Sequence, residues 1–155
     1  MHVLVSGASG LIGTALTQRL RAADHTVIAL VRRQARSGEI RWDPSSGSIP
    51  DDALDGIDAI VNLAGAGIND HRWTDEYKRT LVDSRLTSTR LLVDAIAKAA
   101  TKPVVFISGS AIGYYGARGD EVLDETATPG DTFLAKLCVD WEAAAATARE
   151  HGVRV

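Results

Sequence analysis

Seven residues near the amino terminus, Gly7-Ala8-Ser9-Gly10-Leu11-Ile12-Gly13, constrain this chain more than anything else in it. They separate a short apolar run, Val3 to Ser6, from a segment, Leu11 to Ala22, in which Leu11, Ala15, Leu16 and Leu20 recur at roughly helical spacing. Glycines between a strand and a helix permit a tight turn, let the backbone approach a pyrophosphate and let the helix pack closely on the sheet. Free amides at the helix start then face the anion. Such a pattern alone is weak, and a purely structural turn is the alternative. The strand before it, the helix after it and the short interval to a second strand favour Gly7, Gly10, Leu11, Ile12 and Gly13 as cofactor contacts.

The same alternation continues along the chain. Thr26 to Val31 is almost wholly apolar and β-branched, as expected of a strand covered on both faces, and a right-handed crossover places it parallel to the first. Glu39 to Asp43 alternates as a short strand broken by Pro44-Ser45-Ser46-Gly47, and Asp58 to Leu63 reads as another buried strand. Asp75 to Ala100 reads as a long helix with Leu81, Val82, Leu86, Leu91, Leu92, Ala95 and Ile96 on its apolar positions. Pro103 to Ile107 is a further strand, followed by a glycine- and tyrosine-bearing loop from Ser108 to Gly119 and a second long helix from Pro129-Gly130-Asp131 to about Glu150. Gly152 to Val155 opens like another strand. The expectation is an α/β chain with a Rossmann-type doubly wound parallel sheet, one domain over residues 1–155, truncated near the start of the sixth strand and without a substrate lobe.

Composition narrows the function. A chain of 155 residues supports one core, and its apolar and charged fractions match ordinary globular proteins. A formal net charge of −3 supplies no basic field for nucleic acid or anionic membrane, and no apolar run is long enough to span a bilayer. The amino terminus lacks a targeting pattern, so cytoplasm is the expected compartment. Cys138 is the only cysteine and reads as a packed thiol. His2, His25, His71 and His151 show no ligand spacing, so no metal site is expected.

At the end of the second strand, an NAD-specific site presents an acid to the ribose hydroxyls; this chain offers Val31-Arg32-Arg33. Guanidinium groups grip the 2′-phosphate of NADP through several donors, whereas a carboxylate would repel it. Arg32 and Arg33 therefore point to NADP(H), the alternative being two arginines that merely solvate a loop.

GASGLIG at Gly7 to Gly13, NLAG at Asn62 to Gly65 and SGSAIGYYG at Ser108 to Gly116 resemble the atypical extended short-chain dehydrogenases/reductases. The stretches EIRWDP, VNLAGAGI, RW, SR at Ser84-Arg85, GDEVLDE and WEAAA resemble, more specifically, the epimerase-family proteins described as nucleoside-diphosphate-sugar epimerase-like. The resemblance covers essentially the whole chain, and members are longer, so it implies an amino-terminal portion. It further implies a Rossmann domain with a smaller substrate lobe, NADP(H) as cofactor, and a poorly defined sugar-nucleotide or small carbonyl substrate. Carried over by position, Leu11 and Ile12 present amides to the pyrophosphate, and Arg32 and Arg33 meet the adenosine phosphate. Asn62, Leu63, Ala64 and Ser108 line the cofactor at strand ends. Arg85 reaches it from the long helix, or is a surface charge. Trp42-Asp43 falls on the adenine side, where Trp42 is either a contact or a packed aromatic.

Relatives of this kind use a Ser/Tyr/Lys constellation in which the phenol exchanges a proton and the lysine lowers its pKa. Ser110 matches the serine. Lys136 falls where the lysine of Tyr-x-x-x-Lys should lie, but the position four earlier is Thr132. Tyr115, or Tyr114, is the candidate substitute, with a cofactor-side or structural place as the alternative; Lys136 is alternatively a solvated charge. Three functions follow: an NADP(H)-dependent oxidoreductase or epimerase-like protein, a nucleotide-binding regulatory module without turnover, and a homodimer built on the two long helices.

Overall fold

A computed structural model describes residues Met1–Val155. Along the chain come β1 (His2–Ser6), α1 (Leu11–Ala22), β2 (Thr26–Val31), β3 (Glu39–Arg41), β4 (Ala59–Asn62), α2 (Asp75–Lys98), β5 (Val105–Ser108) and α3 (Phe133–Ala146). Short 3-10 turns lie at Ile112–Tyr115 and Thr147–His151. All five strands are parallel in the order β3-β2-β1-β4-β5, so the chain reverses its direction of growth at β1. The expected doubly wound Rossmann-type fold is the fold observed.

The pleat divides the core in two. Leu4, Leu30, Ile60 and Phe106 project to one face, where they meet Leu91, Leu92 and Ile96 of α2 and Ala145 of α3. Val3, Val5, Val27, Ala59 and Val61 project to the other, beneath Leu16 and Leu20 of α1. Each large side chain fully buried in these layers contributes about 1.5–3 kcal/mol. The sheet-facing side of α1 is Gly13, Leu16, Thr17 and Leu20, whereas Leu11 and Ala15 are exposed. Leu54 and Ile57, from a turn-rich segment with no hydrophobic period, also enter the core.

Element ends depart from the sequence pattern for identifiable reasons. β3 stops at Arg41 because the Asp43 carboxylate takes the amide and hydroxyl of Ser45 in a local turn. β5 begins after Pro103, which has no N–H to give the ladder. α2 ends at Lys98, and Lys102 Nζ donates to the carbonyls of Ala97 and Ala99 just past it. α3 starts at Phe133, with Thr132 as its cap. Beyond α3, the Phe106 N–H donates to the Arg154 carbonyl at 2.8 Å and Val105 bridges Arg154 in parallel, so the last residues lie along the edge of β5.

Candidate functional site

The carboxyl ends of β1, β4 and β5 lie side by side at and beyond the reversal point, with Gly7 and Gly109 directly after β1 and β5 and Gly65 three residues after β4. Gly7 has φ +69°, and a Cβ there would lie 2.6 Å from the Leu63 carbonyl oxygen. A Cβ at Gly13 would overlap the Gly7 carbonyl oxygen and lie 2.8 Å from Ala8 Cα. These two glycines let β1, α1 and the end of β4 approach at backbone contact. Gly10 differs: its Cβ position meets nothing closer than 3.4 Å, and it caps α1 without a side-chain acceptor. Thr74 and Thr132, by contrast, accept from Tyr77 N–H and Ala135 N–H at the starts of α2 and α3. The first-turn amides of α1 are thus left without a protein cap, flanked by Leu11 and Ile12, which are 93% and 68% exposed.

Beneath the strand ends runs a buried polar relay. Ser6, Asn62 and Ser108 occupy one register row across β1, β4 and β5. The Ser6 hydroxyl donates to Asn62 Oδ1 at 2.6 Å and accepts from the Leu63 and Ala64 amides, both at 3.2 Å. Asn62 Nδ2 and Trp141 Nε1 each donate to Thr89 Oγ1 at 2.9 Å. Ser6, Asn62 and Thr89 are fully buried, and the Asn62 side chain is engaged in this relay at the end of β4. Leu63 and Ala64 remain half-buried at the lip, with their amides turned inward to Ser6. Ser108 is half-buried at the end of its strand and donates to the Gly109 carbonyl at 3.3 Å. The sequence signal for this relay was Ser6 and Asn62, each a polar residue closing an apolar run (VLVS, AIVN).

Trp141 also forms part of the cleft floor. A Cβ at Gly109 would lie 2.9 Å from its ring, and the Arg85 guanidinium sits over that ring at 5.3 Å. Arg85 packs against Gly65 and donates to the Leu81 carbonyl at 3.1 Å, with no carboxylate partner. Burial pushes its pKa down, and burial pushes the Cys138 thiol up. Arg85 is therefore at the strand ends and not a free surface charge.

At the end of β2, the two arginines separate. Arg33 is bound end-on by Glu39 at 2.6 and 2.7 Å, while Arg32 is exposed and makes no ion pair. The Arg33 and Arg36 contacts hold the Glu39 carboxyl well below its ordinary range, at about 2. Trp42 is buried in the core, which decides for the packed aromatic; a concavity of about 420 Å³ beside it is lined by Arg41, Asp43, Ser46 and Ile49, at the β3 end of the sheet.

The catalytic candidates do not form one hydrogen-bonded group. Ser110, exposed at the mouth of β5, donates to Glu142 on α3, a partner the sequence did not suggest. Tyr115 lies half-buried in the 3-10 turn, edge-on to Tyr114 at 5.3 Å between centroids. Lys136 faces solvent with no hydrogen bond or ion pair, and Thr132 spends its hydroxyl on the Ala135 amide.

Comparison with known proteins agrees with this architecture. The sequence profile of the NAD dependent epimerase/dehydratase family matches residues 3–155. An epimerase family protein of Mycobacterium bovis is 49% identical over 154 residues, covering 99% of this chain and 50% of that protein. A nucleoside-diphosphate sugar epimerase from Corynebacterium glutamicum superposes with TM-score 0.86 at 41% identity, covering 100% of this chain and 32% of the other. The human epimerase family protein SDR39U1, solved with NADPH, superposes with TM-score 0.81 at 39% identity, covering 94% of this chain and 48% of the other. The chain spans about half the length of the curated relatives it matches. No helix is long and apolar enough to cross a membrane. By sequence, fold and the glycine geometry at the reversal point, the chain belongs to the NAD dependent epimerase/dehydratase family.

Proposed function

We propose that residues 1–155 are the NADP(H)-binding domain of an oxidoreductase or epimerase-like protein, with the dinucleotide laid across the carboxyl ends of β1, β4 and β5. The observation that carries this is the glycine cradle: Gly7 and Gly13 exclude any side chain, and the uncapped amides of α1 stand open to a diphosphate. Leu11 and Ile12 would supply those amides, and Leu63, Ala64 and Ser108 would form the wall. Unpaired Arg32 supports NADP over NAD, since a 2′-phosphate needs a cation where a ribose diol needs an acceptor. The human relative's complex with NADPH supports the same choice. Arg85, partly desolvated and lacking a counter-charge, would favour the negatively charged ligand from the α2 side.

A bound nicotinamide supplies hydride transfer at its C4. Ser110 would hold the substrate oxygen by its hydroxyl, with Tyr115 in the following turn as the remaining phenol. The name of the C. glutamicum neighbour supports a sugar nucleotide as substrate class, and a small carbonyl compound is the alternative. One specific arrangement favours a second reading, a nucleotide-binding module without turnover: Thr132 is committed to capping and Lys136 to solvent. Calorimetric titration of NADPH and NADH, followed by a turnover screen against UDP-sugars and small aldehydes, separates the cases. Tighter NADPH binding with turnover supports the first reading; binding without turnover on any substrate supports the second. Binding of neither nucleotide overturns both.

A further inference from the structure

Glu39 is an acid beside the very arginine expected to meet the 2′-phosphate, and at first sight it competes with that ligand. The donor geometry says otherwise. A guanidinium has five N–H donors. Arg33 Nη1 uses both of its own, on the Gln34 carbonyl at 2.9 Å and Glu39 Oε2 at 2.7 Å, and Nη2 uses one, on Glu39 Oε1 at 2.6 Å. The Nε–H and the second Nη2–H remain, and these lie on one edge of the planar group, the side-on fork that suits two oxygens of a phosphate.

Glu39 itself is fixed. It sits on β3 in register with Ala29 of β2, its side chain is 17% exposed, and Oε2 also accepts from the Arg36 amide at 2.8 Å. The turn from Arg33 to Arg36 is therefore wrapped around one carboxylate. Arg32, Arg33 and Arg36 against that single acid leave two positive charges uncompensated at the end of β2. We propose that Glu39 is a positioning residue for cofactor choice: it clamps Arg33 end-on and so preorganises the free edge of that guanidinium, beside Arg32, for the 2′-phosphate of NADP(H). This rests on the NADP(H) reading above. Preorganisation matters because an unrestrained arginine loses rotamer freedom when it closes on a phosphate, and a clamped one has lost it already.

The test is a double-mutant cycle read by calorimetry with NADPH and NADH as probes, on wild type, Glu39→Gln, Arg33→Ala and the pair. Glu39→Gln is expected to weaken NADPH about tenfold and leave NADH unchanged, because only the phosphate contact depends on the clamp. In the Arg33→Ala background, Glu39→Gln should have no further effect. Glu39→Asp, with a shorter reach, should fall between wild type and Glu39→Gln. Equal loss of both nucleotides would mean a merely structural role and overturns the proposal; tighter NADPH binding in Glu39→Gln would make the acid a competitor and overturns it as well. A wild type that prefers NADPH while Glu39→Gln keeps the full preference sinks this inference alone. A wild type without preference removes the cofactor reading and this inference together.

Discussion

Replacing Gly13 by alanine separates the packing role of the loop from its ligand role. The added methyl would lie 2.8 Å from Ala8 Cα and 2.9 Å from the Gly7 carbonyl carbon, besides overlapping the Gly7 oxygen. Ordinary carbon contacts are about 3.5–4.0 Å, so the start of α1 or the Gly7–Gly10 turn must move by about 1 Å. The obstructing atoms are backbone, and no rotamer change relieves them. Because only backbone can give way, the cost falls in the upper part of the usual overpacking range, at about 2–3 kcal/mol, while alanine's better helix propensity returns about 1 kcal/mol. A net loss of about 1–2 kcal/mol lowers the melting temperature of a domain this size by about 2–8 °C. Gly10→Ala is the partner experiment: its methyl meets only the Gly7 oxygen at 3.4 Å, and φ −73° with ψ 174° suits any residue, so stability should stay within about 0.5 kcal/mol of wild type. Its methyl would nevertheless stand where a diphosphate must approach the α1 amides. Thermal melts and NADPH titration of both variants are decisive. Gly13→Ala should lose stability and affinity, and Gly10→Ala affinity alone. An unchanged or raised melting temperature for Gly13→Ala refutes the packing argument, and full NADPH affinity in Gly10→Ala refutes the ligand argument.

Three further outcomes are expected. Thr132→Ala should cost about 1 kcal/mol through the lost cap of α3 and leave NADPH affinity unchanged, by melting and calorimetry; a large loss of affinity would give Thr132 a ligand role. Asn62→Ala strands the Ser6 hydroxyl and removes a donor from Thr89, and should cost about 2–4 kcal/mol in urea unfolding; a loss under 1 kcal/mol would show the relay to be dispensable. Glu39, with an ordinary value of 4.5 lowered to about 2 by its Arg33 and Arg36 contacts, should stabilise the folded chain fully above about pH 4.5 and lose that contribution as pH falls toward 2. Carboxyl carbon chemical shifts followed by NMR check this, and titration of Glu39 near 4.5 would show the clamp to be absent.

Much of the fold was legible because strand and helix periods were clean. Thr26–Val31 is bounded as its composition implies, and the glycine loop sits where its flanking pattern put it. What the sequence could not show were side-chain contacts that only the folded backbone brings about. Nothing around Asn62 in the sequence shows that Ser6 and Thr89, 56 and 27 residues away, hold its amide. Arg33 looks as free as Arg32 until strand register brings Glu39 beside it. How Ser110, Tyr115 and Lys136 stand to one another was equally hidden: Lys136 is exposed on α3 while Cys138 and Trp141 of the same helix are buried, and Ser110 donates to Glu142. Trp42 offered two roles because an aromatic in a short strand fits core and ligand equally well; burial decided.

The most direct measurement is a crystal structure of the protein with NADP+. The expected result places the diphosphate on the Leu11 and Ile12 amides, and the 2′-phosphate between Arg32 and the free edge of Arg33, with Glu39 still clamped. A dinucleotide seated instead in the concavity beside Trp42, or one that leaves the α1 amides in water, would contradict the proposed site.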